Sequence, residues 1–262
     1  MSTILYEKQD QIAIITMNRP EKRNAINVAM IGDICEALTK AAADPEVDLV
    51  IIAGAGEKSF TAGFDLKEAV EVDTDDPQQT REGALSESRL FQQILYFPKP
   101  TIAQVQGYCI GAGNWIAMAC DMIVASDDAT FGQPEILLGF SPEFPIEMWK
   151  MPYNKMNEWL FTGKYYTVQE MEQMGVVNQV VPFADLSQAT LALAEQVLKV
   201  ERGTMRYMKH TISQCFDLRG MRNTMNFAPE VFIQALLYRQ KTLAEEFNAN
   251  VKSVGLTGAL KK

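Results

Sequence analysis

Three stretches of the chain bring together residues able to do chemistry, and their currency is carboxylates and backbone amides. Glu135 stands in Phe131-Gly132-Gln133-Pro134-Glu135-Ile136-Leu137-Leu138-Gly139, after a proline and ahead of three aliphatic residues. A carboxylate among apolar neighbours loses hydration, its pKa rises, and it becomes suited to proton transfer near neutral pH. A turn carboxylate facing water fits the same local sequence. Glu143 follows eight residues later between Pro142 and Pro145, with Glu147 beyond. A second acid there could share acid/base work, although exposed loop acids are common. Two further stretches, Ala62-Gly63-Phe64-Asp65 and Gly111-Ala112-Gly113-Asn114, are glycine-bearing turns that each precede a helical pattern. A helix start holds unpaired N–H donors and a partial positive charge, so two such turns facing one cavity would stabilise an oxyanion. Each turn alone also needs its glycine for conformational reasons.

Other chemistries are poorly served. The only histidine is His210, and the four cysteines (Cys35, Cys109, Cys120 and Cys215) show no metal-ligand spacing. A Ser-His-Asp triad or a multi-histidine zinc site would have to be built on one imidazole. His210 lies on a helical pattern with cations and no serine or cysteine motif points at it. The cysteines sit among apolar or small residues and read as buried, reduced packing. No metal is expected. A formal net charge of −9 suits neither a phosphate backbone nor an anionic membrane, so no nucleic-acid or membrane partner is expected. Neither turn reads GxxxxGK[ST], and Gly111-Ala112-Gly113 lacks the third glycine of the dinucleotide fingerprint. The start, MSTILYEKQDQ, carries acids and no apolar run, and no apolar stretch approaches a membrane span. A cytoplasmic protein without a signal peptide is expected.

These groups need elements to hold them. Ile12 to Met17 and Leu49 to Ala53 are short apolar runs closed by turns and read as buried strands, joined by an amphipathic helix from Ala25 to Ala43 that Asp44-Pro45 stops. Strand, helix and strand in that order make a crossover unit, hence parallel strands covered by helices. Glu71 to Gly83 is polar and acidic and reads as a surface loop or a lid. Leu85 to Phe97 reads as helix, Thr101 to Val105 as strand, Asn114 to Cys120 as helix and Met122 to Ala125 as strand. Helical spacing then dominates at 149–162, 168–174, 186–200, 203–215 and 225–248. No internal sequence repeat is visible. The change from α/β to all-helical falls near residue 185.

The strings MNRPEKRNAIN, SFTAGFDLKE, GYCIGAGNWIAMACDMIVASDDATFGQPEILLG and FTGKYYTVQEMEQMGVVNQVVP, in that order, resemble the crotonase family, also called the enoyl-CoA hydratase/isomerase family. The resemblance covers nearly the whole chain. It implies an α/β fold, a spiral of repeated ββα units over 1–185 with a helical trimerisation region over 186–262, assembled as a homotrimer or hexamer. It implies an acyl-CoA thioester substrate and no cofactor beyond the coenzyme A of that substrate. The family's two oxyanion-hole N–H groups fall on Phe64 and Ala112. The segment Ala62 to Leu66, including Asp65, resembles the stretch that reads the adenine. Lys22, Arg23 and Lys67, with Ala25 beside the first two, resemble the groups around the CoA phosphates.

The departures concern the reaction. Hydratases of the family carry two glutamates; the second is Glu135, and the position of the first holds Trp115, which cannot take a proton from water. Trp115 is expected to wall the acyl pocket, and Gly139 to Pro145, with Phe140 and Phe144, to rebuild its floor. Hydroxycinnamoyl-CoA hydratase-lyases also resemble this pattern in lacking the first glutamate. Dienoyl-CoA isomerases pair the Glu135 position with an acid eight residues on, where Glu143 stands. The expectation is therefore hydration, with or without cleavage, of an unsaturated acyl-CoA through a thioester enolate, with Glu135 as acid/base and Glu143 assisting. The alternatives are an isomerase using Glu135 and Glu143, and a non-catalytic acyl-CoA binder.

Overall fold

The computed structural model describes residues 2–65 and 77–238, with Ala249. Among the described residues ten strands form two sheets. The larger has the order β1 (Ile4–Gln9), β2 (Ile12–Met17), β3 (Leu49–Gly54), β5 (Thr101–Val105), β7 (Met122–Ser126) and β10 (Gln179–Val181). Only the β1/β2 pair in it is antiparallel. The smaller has β4 (Ser59–Thr61), β6 (Tyr108–Ile110), β8 (Thr130–Gly132) and β9 (Tyr165–Thr167), antiparallel only at β8/β9.

Strands of the large sheet are uninterrupted apolar runs because both faces are covered. On β3, Val50 and Ile52 enter the main core, while Leu49 and Ile51 enter a second cluster on the other face. That second cluster is closed by Leu186 and Ala194 of α7 (Leu186–Leu198). The main core takes Met30, Ile34 and Leu38 from α1 (Val28–Ala43), Leu90, Phe91 and Ile94 from α2 (Pro77–Leu95), and Ile116 to Ala119 from α3 (Ala112–Ala119). Three times, at β3/β4, β5/β6 and β7/β8, the chain lays a strand in the large sheet and the next in the small one. The unit that recurs is thus one of backbone path, which is why no sequence repeat marks it.

The remaining helices are α4 (Glu147–Lys150), α5 (Tyr153–Thr162), α6 (Val168–Gln173), α8 (Arg202–Leu218) and α9 (Met221–Tyr238). Several expectations are corrected. The first helix begins at Val28, not Ala25, because the Asn27 side chain accepts from Met30 N–H at 3.0 Å and caps it. Within the expected loop at 71–83, residues 77–83 are the opening turns of α2, whose solvent side is polar; 71–76 lie outside the described residues. The helix expected over 149–162 is two, since Pro152 stands between α4 and α5. Cys215 is exposed and Cys35 half-buried, so only Cys109 and Cys120 meet the expectation of buried thiols. No helix among the described residues is long and apolar enough to cross a membrane.

Candidate functional site

The loop after β2 is the first wall. Arg23 and Asn24 adopt positive φ (53° and 54°), a conformation asparagine tolerates better than most residues. The Asn24 side chain is fully buried: its amide donates to the carbonyls of Ala55, Ser59 and Phe60 at 2.9–3.2 Å, and its Oδ1 accepts from Arg19 N–H. Arg19 in turn donates to the Ala25 carbonyl at 2.6 Å and pairs with Asp65 at 3.0 Å. This clamp sets Lys22, Arg23 and Ala25 beside Ala62 to Asp65. Ala62 N–H donates to the Arg23 carbonyl at 3.0 Å, and Lys22 Nζ lies 4.0 Å from the Asp65 carboxylate. Lys22 and Arg23 are exposed, and the Arg23 guanidinium stacks over Tyr108, 5.3 Å from the ring centroid. Leu66 and Lys67 lie outside the described residues.

The two glycine turns adjoin. Ile26 N–H donates to the Gly63 carbonyl and Asp65 N–H to the Ile26 carbonyl, a parallel bridge that leaves Phe64 N–H outside its ladder. Gly63 has φ +87°, and a Cβ placed there would lie 3.6 Å from Ala112 N and 2.9 Å from the Ile110 carbonyl. Ala112 opens α3, so no earlier turn of helix can accept its N–H. Among the described residues neither Phe64 N–H nor Ala112 N–H has a hydrogen-bond acceptor. Gly111 N–H donates to the Gly132 carbonyl, and Asn114 donates there and to Gln133 Oε1, tying the start of α3 to the segment before Glu135.

Glu135 lies on a 3₁₀ turn, Pro134–Leu138, with its carboxyl laid against Gly111. A Cβ at Gly111 would meet Glu135 Oε1 at 1.7 Å, and Gly111 has φ +56°. Only glycine leaves that space for the acid. Glu135 Oε2 is enclosed and unpartnered among the described residues. Burial, with a smaller contribution from the Glu147 charge, raises the acid to about 7 against the pull of its own backbone N–H. Phe140 N–H donates to the Glu135 carbonyl at 3.2 Å, folding Phe140 back over this turn.

Next to these lies an aromatic cluster. Phe91 packs on Phe64, Trp115 and Phe144, with ring centroids 6.1, 5.3 and 5.2 Å apart. Glu143 is buried and faces Glu87 of α2; two carboxyls so placed cannot both ionise cheaply, and burial with the neighbouring acid pushes Glu143 well above the usual range. Glu147 is completely buried and accepts from the Trp115 indole N–H at 2.9 Å. Sequence reasoning placed Trp115 and Phe140 but gave no part to Phe91, Glu87 or Asn24. Phe91 and Glu87 lie within the helix expected over 85–97, whose spacing does not say which of its residues meet the site, and the role of Asn24 rests on carbonyls distant in the chain. His210 is exposed on α8. Among the described residues no cluster of three or more acids, cysteines or histidines is arranged to hold a metal.

The model for the enoyl-CoA hydratase/isomerase family matches residues 7–236. The chain is 35% identical over 227 residues to a hydroxycinnamoyl-CoA hydratase-lyase of Pseudomonas fluorescens, covering 84% of this chain and 82% of the relative. It is 29% identical to a short-chain-enoyl-CoA hydratase of Clostridium acetobutylicum, covering 100% and 96%. Its fold superposes on the crystal structure of an enoyl-CoA hydratase/isomerase from Xanthobacter autotrophicus Py2 with a TM-score of 0.94 at 30% identity, covering 99% and 96% of the two chains. The α/β spiral, the adjoining glycine turns and these likenesses together establish that the chain belongs to the enoyl-CoA hydratase/isomerase family and is an enzyme of its hydratase/lyase type.

Proposed function

We propose that the protein adds water to an unsaturated acyl-CoA, with or without subsequent cleavage, using Phe64 and Ala112 N–H as the oxyanion hole and Glu135 as the acid/base. The observation that carries this reading is the Glu135 carboxyl resting on Gly111, one residue before Ala112, with the Phe64 turn alongside. The thioester oxygen gains charge as water adds to the β carbon, and two acceptor-free N–H groups suit that charge; loss of one such donor costs on the order of 3 kcal/mol of transition-state stabilisation. Glu135 takes the proton of the attacking water and returns it to the α carbon, so one carboxyl serves both transfers and the sum is one added water. In a hydratase-lyase the new hydroxyl then gives its proton to the Glu135 carboxylate as the α–β bond breaks, and the resulting thioester enolate takes that proton at its α carbon, leaving an aldehyde and a shortened thioester. A carboxyl held near neutrality suits a group that must both take and give a proton.

Lys22 and Arg23, exposed beside Ala25, Ala62 and Asp65, offer cations to the CoA phosphates, so recognition is local on a chain of net charge −9. Trp115, Phe144 and Phe140 form the aromatic side of the acyl site. Tyr207, Ile212, Leu218 and Phe227 leave apolar surface exposed on α8 and α9, which supports burial of the C-terminal helices between copies in a trimer or hexamer. Hydration is preferred to isomerisation because Glu143 faces Glu87, whereas two-acid isomerisation needs Glu143 to work beside Glu135.

Incubation with enoyl-, dienoyl- and cinnamoyl-CoA, followed by mass spectrometry in water and in deuterium oxide, tests this. Gain of one water, or release of an aldehyde, supports the reading. Solvent deuterium incorporated without gain of water establishes isomerisation instead, and binding without turnover of any ester establishes a non-catalytic binder.

A further inference from the structure

Of the buried side-chain polar atoms that have no partner among the described residues, most belong to one stretch of chain, Gln133 to Trp149. Beside the Glu135 oxygen they include both carboxyl oxygens of Glu143, Oε2 of Glu147 and the Ser141 hydroxyl. Glu143 and Glu147 are 1% and 0% exposed. Acceptors left open in an interior are costly, and apolar side chains of similar size would avoid that cost. These acids border the acyl site. Trp115 follows Ala112 by three residues on α3, so its indole stands on the side of the helix that carries the Ala112 turn. Glu147 Oε1 takes the indole N–H at 2.9 Å, and because both oxygens hang on one carbon, Oε2 opens beside the same ring. Glu143 directly precedes Phe144, whose ring packs on Phe91, and Phe91 packs on Trp115. Glu87, four residues before Phe91 on α2, hydrogen-bonds to Glu143. One proton shared between two acids satisfies an oxygen of each and leaves the others open. Lys150, on the same helix as Glu147, donates instead to the Cys120 carbonyl at 3.5 Å.

We propose that Glu143 and Glu147 form a polar end to the acyl site and select an acyl group that carries a hydroxyl distal to the thioester. The inference rests on the reading of Trp115 and Phe144 as a side of the acyl site, and it names the class of acyl group held there. A hydroxyl suits these acids in either charge state, since it donates to a carboxylate and accepts from a carboxylic acid. An alkyl end does neither and would cover the open acceptors without satisfying them. The rings of Phe91, Phe144 and Trp115 supply apolar contact to the carbon skeleton. A site built around a substrate hydroxyl rejects the analogue that lacks it, because its own buried polar groups are then left unpaired.

The test uses saturated esters, which cannot be hydrated. Calorimetric titration of the full-length protein compares hexanoyl-CoA with 6-hydroxyhexanoyl-CoA, and 3-phenylpropionyl-CoA with 3-(4-hydroxyphenyl)propionyl-CoA, with coenzyme A alone as reference. In at least one pair the hydroxylated ester is expected to bind about ten- to a hundredfold more tightly than its parent. That ratio is expected to fall to within threefold of one in Glu143→Met, in Glu147→Met or in both, whereas a purely structural role would weaken ester and parent alike. Wild-type ratios within threefold of one for both pairs, or a ratio retained in both folded variants, overturn the proposal. If the methionine variants do not fold, the wild-type ratios decide alone. Binding of no ester beyond that of coenzyme A overturns the acyl-site reading and the proposal with it. A hydroxyl preference without turnover of any unsaturated ester supports the proposal and overturns the Glu135 mechanism alone.

Discussion

Gly111→Ala tests the geometry of the site with one added methyl group. Two effects combine. At φ +56°, ψ −121° an alanine pays about 1–3 kcal/mol of backbone strain, and for a chain of this size each kcal/mol lowers Tm by roughly 2–4 °C. The larger effect is on Glu135. The new Cβ would lie 1.7 Å from Oε1 and 2.8 Å from Cδ, so the carboxyl must retreat by more than an ångström. A displacement of that size costs on the order of a hundredfold in rate when it misplaces a reacting group. The assay is kcat on whichever CoA ester the wild type turns over, beside a thermal melt, with Gly83→Ala as control because a Cβ at Gly83 meets nothing within 4 Å. Gly111→Ala is expected to remain folded with kcat down about a hundredfold and Gly83→Ala to match the wild type. A folded Gly111→Ala protein with kcat within threefold of wild type would refute the placement of the acid against that glycine.

Two further outcomes follow from the buried polar groups. Asn24→Ala removes the side-chain donor to the carbonyls of Ala55 and Phe60 and the acceptor of the Arg19 N–H, while the Ser59 carbonyl keeps Gln106; a loss of about 2–4 kcal/mol is expected, read as a lower denaturant midpoint at unchanged m-value. Glu135 and Glu147 each bind a proton more tightly in the folded chain (about 7) than in the unfolded one (4.5), so their contribution to stability is full below about pH 4.5. It is lost as pH rises to about 7, at most on the order of 3 kcal/mol for each carboxyl. Denaturant titrations from pH 4.5 to 8 are expected to show that slope, flattened in Glu135→Gln and in Glu147→Gln; an unchanged slope in both would remove these acids as its cause.

What the sequence makes legible is what local rules decide. The buried strands Ile12 to Met17 and Leu49 to Ala53 are visible because both faces are apolar, and the turns at Gly63 and Gly111 because glycine suits the positive φ that both adopt. Glu135 is visible from its aliphatic neighbours. The strands of the small sheet are three residues each, too short to show an alternation, and β1 is exposed on most of its length, so its one buried residue, Ile4, carries no pattern. The opening of α2 is hidden by polar residues that face water. The role of Asn24 depends on carbonyls more than thirty residues away, and the Trp115–Glu147 contact on a fold that brings α3 to α4. Such contacts leave no spacing in the sequence.

The central claim is that one carboxyl, Glu135, carries the proton transfers beside an oxyanion hole of backbone amides. Glu135→Gln keeps the size of the side chain and removes its base, and acid/base catalysis of this kind contributes about 10²–10⁴-fold. For this variant kcat on the preferred CoA ester is expected to fall by at least a hundredfold, with KM and Tm close to wild type. Turnover within threefold of wild type by the same folded variant would contradict it.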